Sequence, residues 1–140
     1  MYAWTVSDQL LARKSDLESC YFAAQTMRTK IQYQFYELPA DSHISLRDSL
    51  LDHISSCDSK TGAVVVTQLC LALADLAVLV VKWQTPIHDL LHRFAPDSSK
   101  YPVLLEILTV IPEEVSLHAH SLFSAMTLNL GLCRLGYRIL

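Results

Sequence analysis

The chain has 140 residues, of which 51% are hydrophobic and 18% charged, with only three glycines and five prolines. This composition is too apolar for an intrinsically disordered chain and too poor in glycine for a collagen or a many-turned β sandwich. A net charge of −3 and a pI near 6.0 argue against a general nucleic-acid-binding protein. The length fits one ordinary domain, or about three or four units of a helical repeat.

The first helical patterns lie in the amino-terminal third of the chain. Residues 1–11 look like the end of a helix, and the run Ser15-Asp16-Leu17-Glu18 is typical of a capping box with Ser15 as N-cap. A second helix is therefore predicted over residues 16–38, before Pro39. Its apolar positions, which we expect to face inward, are Leu17, Cys20, Tyr21, Ala24, Ile31, Phe35 and Leu38.

A further helix is predicted from Asp41 or Ser42 to about residue 56, before the polar stretch 55–61. Its inward positions are Leu46, Leu50, Leu51 and Ile54. On the same helix, Asp48 and Asp52 stand one turn apart, where like charges repel by a few tenths of a kcal/mol. This pair is interpreted either as a solvated face or as an acidic strip that meets a basic partner.

Residues 62–81 are apolar on nearly all sides, which is typical of a helix packed on most of its surface. Its polar positions Gln68, Asp75 and Lys82 are seven apart, so a narrow polar stripe is predicted. The segment is also long enough to cross a bilayer, which leaves a small helical membrane protein as an alternative. However, Asp75 would cost about 2.5–3.5 kcal/mol near the bilayer centre, so no membrane insertion is expected.

The last predicted helices cover residues 86–95 and 102–111, with Thr85 as N-cap of the first and Pro112 as the interruption of the second. The inner face of the first is predicted to hold Ile87, Leu90, Leu91 and Phe94. No alternating run between hairpin turns supports a strand. The sequence therefore predicts an all-α protein, either a bundle or an α-solenoid.

The sequence offers little that could carry catalysis. His88 and His92 lie four apart on a predicted helix, but the acid between them is Asp89 and no third metal ligand is suggested, so we interpret both as lying on a solvated or partner-facing side. The four cysteines form no CxxC pair or zinc-spaced cluster, and nothing resembles a signal peptide. We expect no enzyme activity, no cofactor and no metal, and reduced thiols in a cytosolic or nuclear compartment.

Several blocks of the chain, taken together, resemble one protein family. They are residues 18–27, 35–43, 45–51, 66–69, 74–77 and 104–115. From about residue 4 to residue 116 they are similar, in register, to the transportin-SR branch of the importin-β family, whose members carry Arg/Ser-rich splicing factors into the nucleus. The resemblance implies an α-solenoid of HEAT-type helix pairs, with residues 16–38 and 41–56 as one repeat, 62–81 and 86–95 as the next, and 102–111 beginning a third.

The resemblance also implies partners. The amino-terminal repeats of the family bind Ran-GTP, whereas Arg/Ser-rich cargo is held mainly by later repeats, and nucleoporins are a further class of partner. No direct nucleic-acid binding is expected, and localisation would be in both nucleus and cytoplasm. Polar positions on the inner helices are the candidate Ran contacts, namely Asp8, Gln9, Asp48 and Asp52.

The resemblance divides the chain in two. Residues 1–116 are expected to be a partial importin-β/exportin-like HEAT region that begins inside the first repeat. Residues 117–140 depart from the family's basic continuation and are expected to be a divergent hydrophobic tail, to which the sequence assigns no structure. The expected function is that of a partial nuclear transport receptor, and the alternative is a truncated product without transport activity of its own.

Overall fold

The computed structural model describes residues 2–80 and 82–136, with side-chain positions up to residue 120. These residues form six α helices and no β strand, with single 3₁₀ turns at Phe35–Glu37 and Ser98–Lys100. The helices are α1 (Tyr2–Arg13), α2 (Leu17–Gln34), α3 (Ala40–Ser55), α4 (Ala63–Leu79), α5 (Pro86–Phe94) and α6 (Tyr101–Gly136). Met1 and Val81, at the ends of two predicted helices, lie outside the described residues.

The helices form two layers. The longer helices α2, α4 and α6 pack side by side, while α1 packs on α2, α3 on α4 and α5 on α6. Each helix thus buries its apolar side mainly on its neighbours along the stack, which is how a solenoid of helix pairs is built. The predicted all-α solenoid is confirmed. The predicted repeats are wrong by one helix: α2 does not pair with α3, nor α4 with α5, because α1 pairs with α2, α3 with α4 and α5 with α6.

Helix α4 is the centre of the core, as its nearly continuous apolar sequence predicts. It packs between α2 and α6 and also supports α3. Leu69, Leu73 and Leu76 are at most 2% exposed, and they meet Met27 and Leu50 in one apolar cluster. The small residues of α4, such as Ala72 and Ala74, are fully buried as well, because neighbouring helices cover nearly its whole circumference.

The start of α2 corrects the predicted capping box. The N-cap is Asp16, whose Oδ1 accepts a hydrogen bond of 2.7 Å from the Ser19 amide, and Ser15 lies one residue before the helix. Ser15 instead donates through its hydroxyl to Asp16 Oδ2. Leu17, predicted to face inward, is exposed in the first turn of the helix.

Two other predictions near the end of the chain are wrong. Ile87 and Leu91 are exposed, and only Leu90 and Phe94 of the predicted inner face of α5 are buried, because α5 is nine residues long and meets α6 along one narrow side. Pro112 does not interrupt α6 but lies within it. Its ring is on the exposed side, and packing of Ile107, Ile111 and Glu114 holds the helix on both sides of the missing N–H.

A buried cluster of three charges joins the longer helices. The Arg28 guanidinium on α2 donates to Asp75 Oδ2 on α4 at 3.1 Å and to Glu114 Oε1 on α6 at 3.3 Å. Asp75 is completely buried, so the predicted polar stripe on α4 is wrong. The middle residue of the stripe lies inside the core. Asp75 Oδ1 accepts no hydrogen bond from any residue that the structure describes.

The closeness of the two carboxyl groups changes the pKa of Glu114. Burial raises its pKa above the ordinary 4.5, and the nearby Asp75 carboxylate raises it further, while Arg28 and His118 act in the opposite direction. One arginine thus faces two carboxyl groups in a poorly hydrated place. Under these conditions a proton on Glu114 relieves the repulsion between the two acids.

Candidate functional site

The exposed side of α1, α3 and α5 carries a row of alternating acidic and basic side chains, here called the short-helix face. It is the only place where three of the four predicted contact residues come together. The face consists of Asp8, Arg47, Asp48, Ser49, Asp52, His53, Asp89 and Arg93.

At the junction of α1 with α3, Asp8 accepts hydrogen bonds from two side chains of α3. Its Oδ1 receives the Ser49 hydroxyl and lies 2.8 Å from His53 Nε2, which acts as the donor. Partial burial raises the pKa of Asp8, but the bonds from Ser49 and His53 outweigh it and leave the pKa below the ordinary 3.8. Asp8 therefore stays ionised at neutral pH and ties α1 to α3.

At the junction of α3 with α5, Asp52 pairs with a residue 41 positions later in the chain. Arg93 of α5 donates through Nη2 to Asp52 Oδ1 and through Nε to Ser55 Oγ, the latter at 3.0 Å. The pair lies at the surface, with the Asp52 side chain 73% exposed. An exposed ion pair of this kind adds little stability. Because the Asp52 side chain is mostly exposed, its carboxylate remains accessible to a binding partner.

Asp48, one turn earlier on α3, pairs with its own neighbour. Arg47 donates to Asp48 Oδ1 through Nε at 2.9 Å and Nη2 at 2.7 Å. The other carboxylate oxygen and about half of the side-chain surface face solvent. The predicted acidic strip is therefore present, but each of its carboxylates has an arginine beside it.

The short-helix face contains a groove of about 500 Å³ between α3 and α5, with Trp83 at its base. The indole is 5% exposed and donates from Nε1 to Asp89 Oδ2 at 2.8 Å, while the Arg47 guanidinium lies 5.6 Å above the ring. The bond from Trp83 is the main cause of the lowered pKa of Asp89. Arg47 over its face and Asp89 at its edge fix the orientation of the buried indole, which gives the base of the groove a rigid shape.

The structure places the four predicted contact residues as follows. Asp8, Asp48 and Asp52 share the short-helix face, and Gln9 is an exposed residue of α1. Sequence reasoning missed Arg93 and Trp83, which complete the face. No local sequence pattern indicates that either residue belongs to the face. Arg93 reaches Asp52 from the next helix pair, and Trp83 lies in the segment between α4 and α5.

The charged and aromatic groups of this arrangement suit binding of a protein surface. His88 and His92 stack with ring centroids 6.4 Å apart on the exposed side of α5. Within the described part of the chain, no three His, Cys, Asp or Glu side chains lie close enough to hold a metal ion. Over the same residues, none of the helices combines the length and the apolar character needed to cross a membrane.

Two family descriptions match adjacent parts of the chain. Residues 2–56 match the family described as Importin-beta N-terminal domain, which covers α1, α2 and α3. Residues 62–130 match the family described as Exportin 1-like protein, which covers α4, α5 and most of α6. The two matches meet at the loop between α3 and α4.

Curated relatives agree with these matches. The chain is 34% identical over 120 residues to human Importin-13, 34% identical over 116 residues to the mRNA transport regulator MTR10 of Saccharomyces cerevisiae, and 37% identical over 123 residues to Transportin MOS14 of Arabidopsis thaliana. Each alignment covers 80% of this chain but only 11–12% of the relative. With two adjoining family matches on a helical solenoid, the chain belongs to the importin-β family of karyopherins.

Proposed function

We propose that this chain acts in nuclear transport as a protein-binding HEAT scaffold, without enzyme activity of its own, and that its short-helix face binds Ran in the GTP form. The observation that carries the proposal is the match of residues 2–56 to the Importin-beta N-terminal domain, the region with which this family binds Ran-GTP. That region contains α1 and α3, and with them Asp8, Gln9, Asp48 and Asp52. The protein would then occur in both nucleus and cytoplasm.

The physical properties of the face support this assignment. It is polar and charged, with Asp48 and Asp52 more than half exposed, and it has a rigid aromatic group beneath the charges. The bonds from Ser49 and His53 to Asp8 fix α1 against α3 at a partly buried junction, whereas the exposed Arg93–Asp52 pair between α5 and α3 adds little rigidity. A preorganised surface loses little side-chain freedom on binding, which favours recognition of a folded partner.

The cargo class follows from the finer resemblance to the transportin-SR branch. We propose Arg/Ser-rich splicing factors as cargo, supported by the six blocks that resemble this branch and by the 37% identity to Transportin MOS14. On this proposal residues 1–116 are the repeat region and residues 117–140 a divergent hydrophobic tail, with α6 continuing across residue 116 to Gly136. Since the chain spans about 12% of the length of that relative, most cargo contacts and any nucleoporin contacts would come from other repeats.

The test is whether binding depends on the nucleotide. The chain is immobilised, and Ran loaded with a non-hydrolysable GTP analogue or with GDP is passed over it in a biosensor. We expect saturable binding of the GTP form at least tenfold tighter than that of the GDP form. Equal binding of both forms, or none by a chain whose helical circular dichroism is intact, would contradict the proposal.

A further inference from the structure

One oxygen of the buried Asp75 carboxylate lacks a hydrogen-bond donor among the residues that the structure describes. Arg28 donates to Oδ2 at 3.1 Å, whereas Oδ1 accepts no hydrogen bond. Asp75 is completely buried, and an acceptor left without a donor in such a place is destabilising, because its lost bonds to water are not replaced. A donor beside Oδ1 would therefore stabilise the fold.

The group beside this oxygen is a second acid. Glu114 of α6 is 6% exposed, and its carboxyl group lies within hydrogen-bonding range of Asp75. Its Oε1 accepts from Arg28 Nη2 at 3.3 Å, which leaves Oε2 to carry a proton. A protonated carboxyl group donates a hydrogen bond, whereas an ionised one can only accept. Glu114 can therefore supply the donor for Asp75 Oδ1 when it is protonated.

The charge balance of the cluster favours this proton. The charged and titratable groups that shift the pKa of Glu114 are Arg28 on α2, Asp75 on α4 and His118 on α6 itself. Burial raises this pKa most and Asp75 raises it further, while Arg28 and His118 lower it without cancelling the rise. With both acids ionised, one arginine would face two negative charges in a poorly hydrated place, whereas a proton on Glu114 leaves an Arg–Asp pair and a neutral acid.

Two polar contacts between α4 and α6 stand eight residues apart on each helix. Near the start of both helices, Thr67 donates to Glu106 Oε1 at 2.5 Å, and eight residues later on each chain segment come Asp75 and Glu114. The helices therefore run in the same direction, and eight residues correspond to about 12 Å of helix. The first contact holds the start of α6 without the Asp75–Glu114 proton, and the second holds the part of α6 after Ile111.

We propose that Asp75 and Glu114 share one proton, which Glu114 donates to Asp75 Oδ1, and that this bond is a pH-controlled latch for the part of α6 after Ile111. As the pH rises, the O–H bond of Glu114 breaks and the proton passes to solvent. Two carboxylates then repel each other across the α4–α6 interface, so this part of α6 loosens while Thr67 still holds its start.

The latch lies at the junction of all three helix pairs, because Arg28, Asp75 and Glu114 belong to the first, second and third pair in turn. Helix pairs in a solenoid contact only their neighbours along the stack, so loosening at this junction changes how the third pair is held on the second. The three residues are not part of the short-helix face. The experiments below do not involve Ran, so failure of the latch and failure of the proposed function are distinguishable.

Hydrogen exchange of the full chain, corrected for the intrinsic effect of pH on exchange, tests the latch. Opening exposes Glu114 to water, where its pKa returns to about 4.5 and its proton is released. Between 4.5 and the folded-state pKa, protection of the amides of residues 115–118 should therefore fall by up to about tenfold per pH unit. Protection of residues 104–108, near the Thr67 contact, should fall much less.

Two variants of adjacent residues separate the latch from other effects of pH. In Glu114→Gln the side-chain amide can donate to Asp75 Oδ1 at every pH, so protection of residues 115–118 should stay flat. Arg28 and His118 remain in this variant, so their own responses to pH are present in both proteins. Glu113→Gln removes the exposed neighbouring charge and should follow the wild type.

Infrared spectroscopy detects the proton itself. At a pH above 4.5 but below the folded-state pKa, exposed acids are mostly ionised, so the carbonyl band of a protonated carboxyl group should come from the buried pair. A heavy carbon isotope in the side-chain carboxyl group of glutamate should shift this band, and the same label in aspartate should not. The band should be absent from Glu114→Gln.

Three outcomes would overturn the proposal. A missing carbonyl band, together with flat protection of residues 115–118 in the wild type, would mean that Glu114 is an ordinary acid and that water supplies the donor for Asp75 Oδ1. A band shifted by labelled aspartate would place the proton on the wrong acid. An equal fall of protection along all of α6 and in α3, which contributes no residue to the cluster, would show that the proton stabilises the whole fold and that no latch opens.

Discussion

Arg28 links the three longer helices, because it lies on α2 and bonds to both α4 and α6. Its guanidinium is the only cation that bonds to both Asp75 and Glu114 within the described chain, and Asp75 is completely buried. Arg28→Met keeps the aliphatic stem but leaves two acids facing each other. We expect a loss of about 2–3 kcal/mol in the free energy of unfolding, below the range for fully buried pairs because Arg28 is 24% exposed. Urea unfolding at neutral pH measures this loss.

The control for this variant is Arg13→Met, at an exposed position in the last turn of α1. It removes the same charge and should change the unfolding free energy by no more than about 0.5 kcal/mol. Similar losses in the two variants would mean that net charge, and not the buried cluster, determines the effect.

Glu114 makes stability depend on pH in a direction opposite to that of most acids. Its folded-state pKa is raised above 4.5 by burial and then by Asp75, so between 4.5 and the folded-state pKa Glu114 holds more of its proton in the folded protein than in the unfolded chain. Its contribution to stability is complete below 4.5 and is lost as the pH rises through the folded pKa. Relative to wild type, Glu114→Gln should therefore gain stability as the pH is raised from below 4.5 to neutral.

Urea unfolding of both proteins at a series of pH values checks this expectation, with Glu113→Gln as the matched control. Glu113 is the adjacent residue of α6 and is exposed, so its substitution should give a difference that stays flat with pH. A flat difference for Glu114→Gln as well would show that Glu114 titrates as an ordinary surface acid.

At the residue scale, the sequence predicted burial better than it predicted partners. Leu50, Leu51 and Ile54 are buried as their helical spacing indicates, because periodicity reports which side of a helix faces a neighbour. Asp75 was predicted on a polar stripe and is instead in the core. Its partners Arg28 and Glu114 lie 47 and 39 positions away, so no local pattern reveals that its charge is compensated.

At the element scale, the cap of α2 offers a direct choice between two neighbouring residues. The predicted capping box names Ser15, but the structure assigns the cap to Asp16. Asp16→Ala should lower the melting temperature measured by circular dichroism, because the Ser19 amide loses its acceptor. Ser15→Ala should change it much less, since that hydroxyl contacts only the capping carboxylate among the described residues.

The difference between these two variants should also shrink in acid. The backbone bond from Ser19 is the main cause that keeps the pKa of Asp16 below 3.8. Its stabilising contribution is therefore present above 3.8 and is lost as the pH falls through the folded-state value. A larger effect of Ser15→Ala at neutral pH would restore the capping box predicted from the sequence.

Helix existence was predictable in this chain, while helix ends and interruptions were less so. All six helices correspond to apolar periodic segments, and the start of α5 at Pro86 was predicted from the Thr-Pro pair. Pro112 misled the prediction because proline removes one N–H and clashes with one carbonyl, effects that tertiary packing on both sides can outweigh. Propensity describes the isolated helix, whereas α6 is held by α4.

At the scale of the whole molecule, the two layers differ in what holds them together. The longer helices meet through apolar contacts and one buried charge cluster, whereas the short helices are joined at their exposed side by hydrogen bonds and ion pairs. The resemblance could suggest that Asp8, Asp48 and Asp52 would share one face, since it assigns them to the inner helices of successive repeats. It could not suggest that Arg93 would pair with Asp52, because Arg93 approaches from another helix pair.

The proposed docking of Ran-GTP on the short-helix face makes a prediction about rate. The resemblance implies that the receptor-binding side of Ran is partly basic, so carboxylates on the face should steer its approach. Asp48→Lys together with Asp52→Lys reverses two exposed charges and frees Arg47 and Arg93 from their partners. We expect association of Ran-GTP with the full chain to slow by about threefold to tenfold at low salt, with a smaller change in dissociation. Stopped-flow fluorescence with labelled Ran measures both rates.

The salt dependence and a matched control variant show whether the location of the charges causes the slower association of Ran-GTP. The Debye length falls to about 8 Å at physiological ionic strength, so the slowing should shrink as salt is added. Glu18→Lys together with Glu113→Lys makes the same change in net charge at exposed positions of α2 and α6 and should have a much smaller effect. Equal slowing by both double variants would mean that only net charge acts. Unchanged association of the Asp48 and Asp52 variant at low salt, with its circular dichroism intact, would remove both residues from the proposed site, because steering is the property their exposed position supplies.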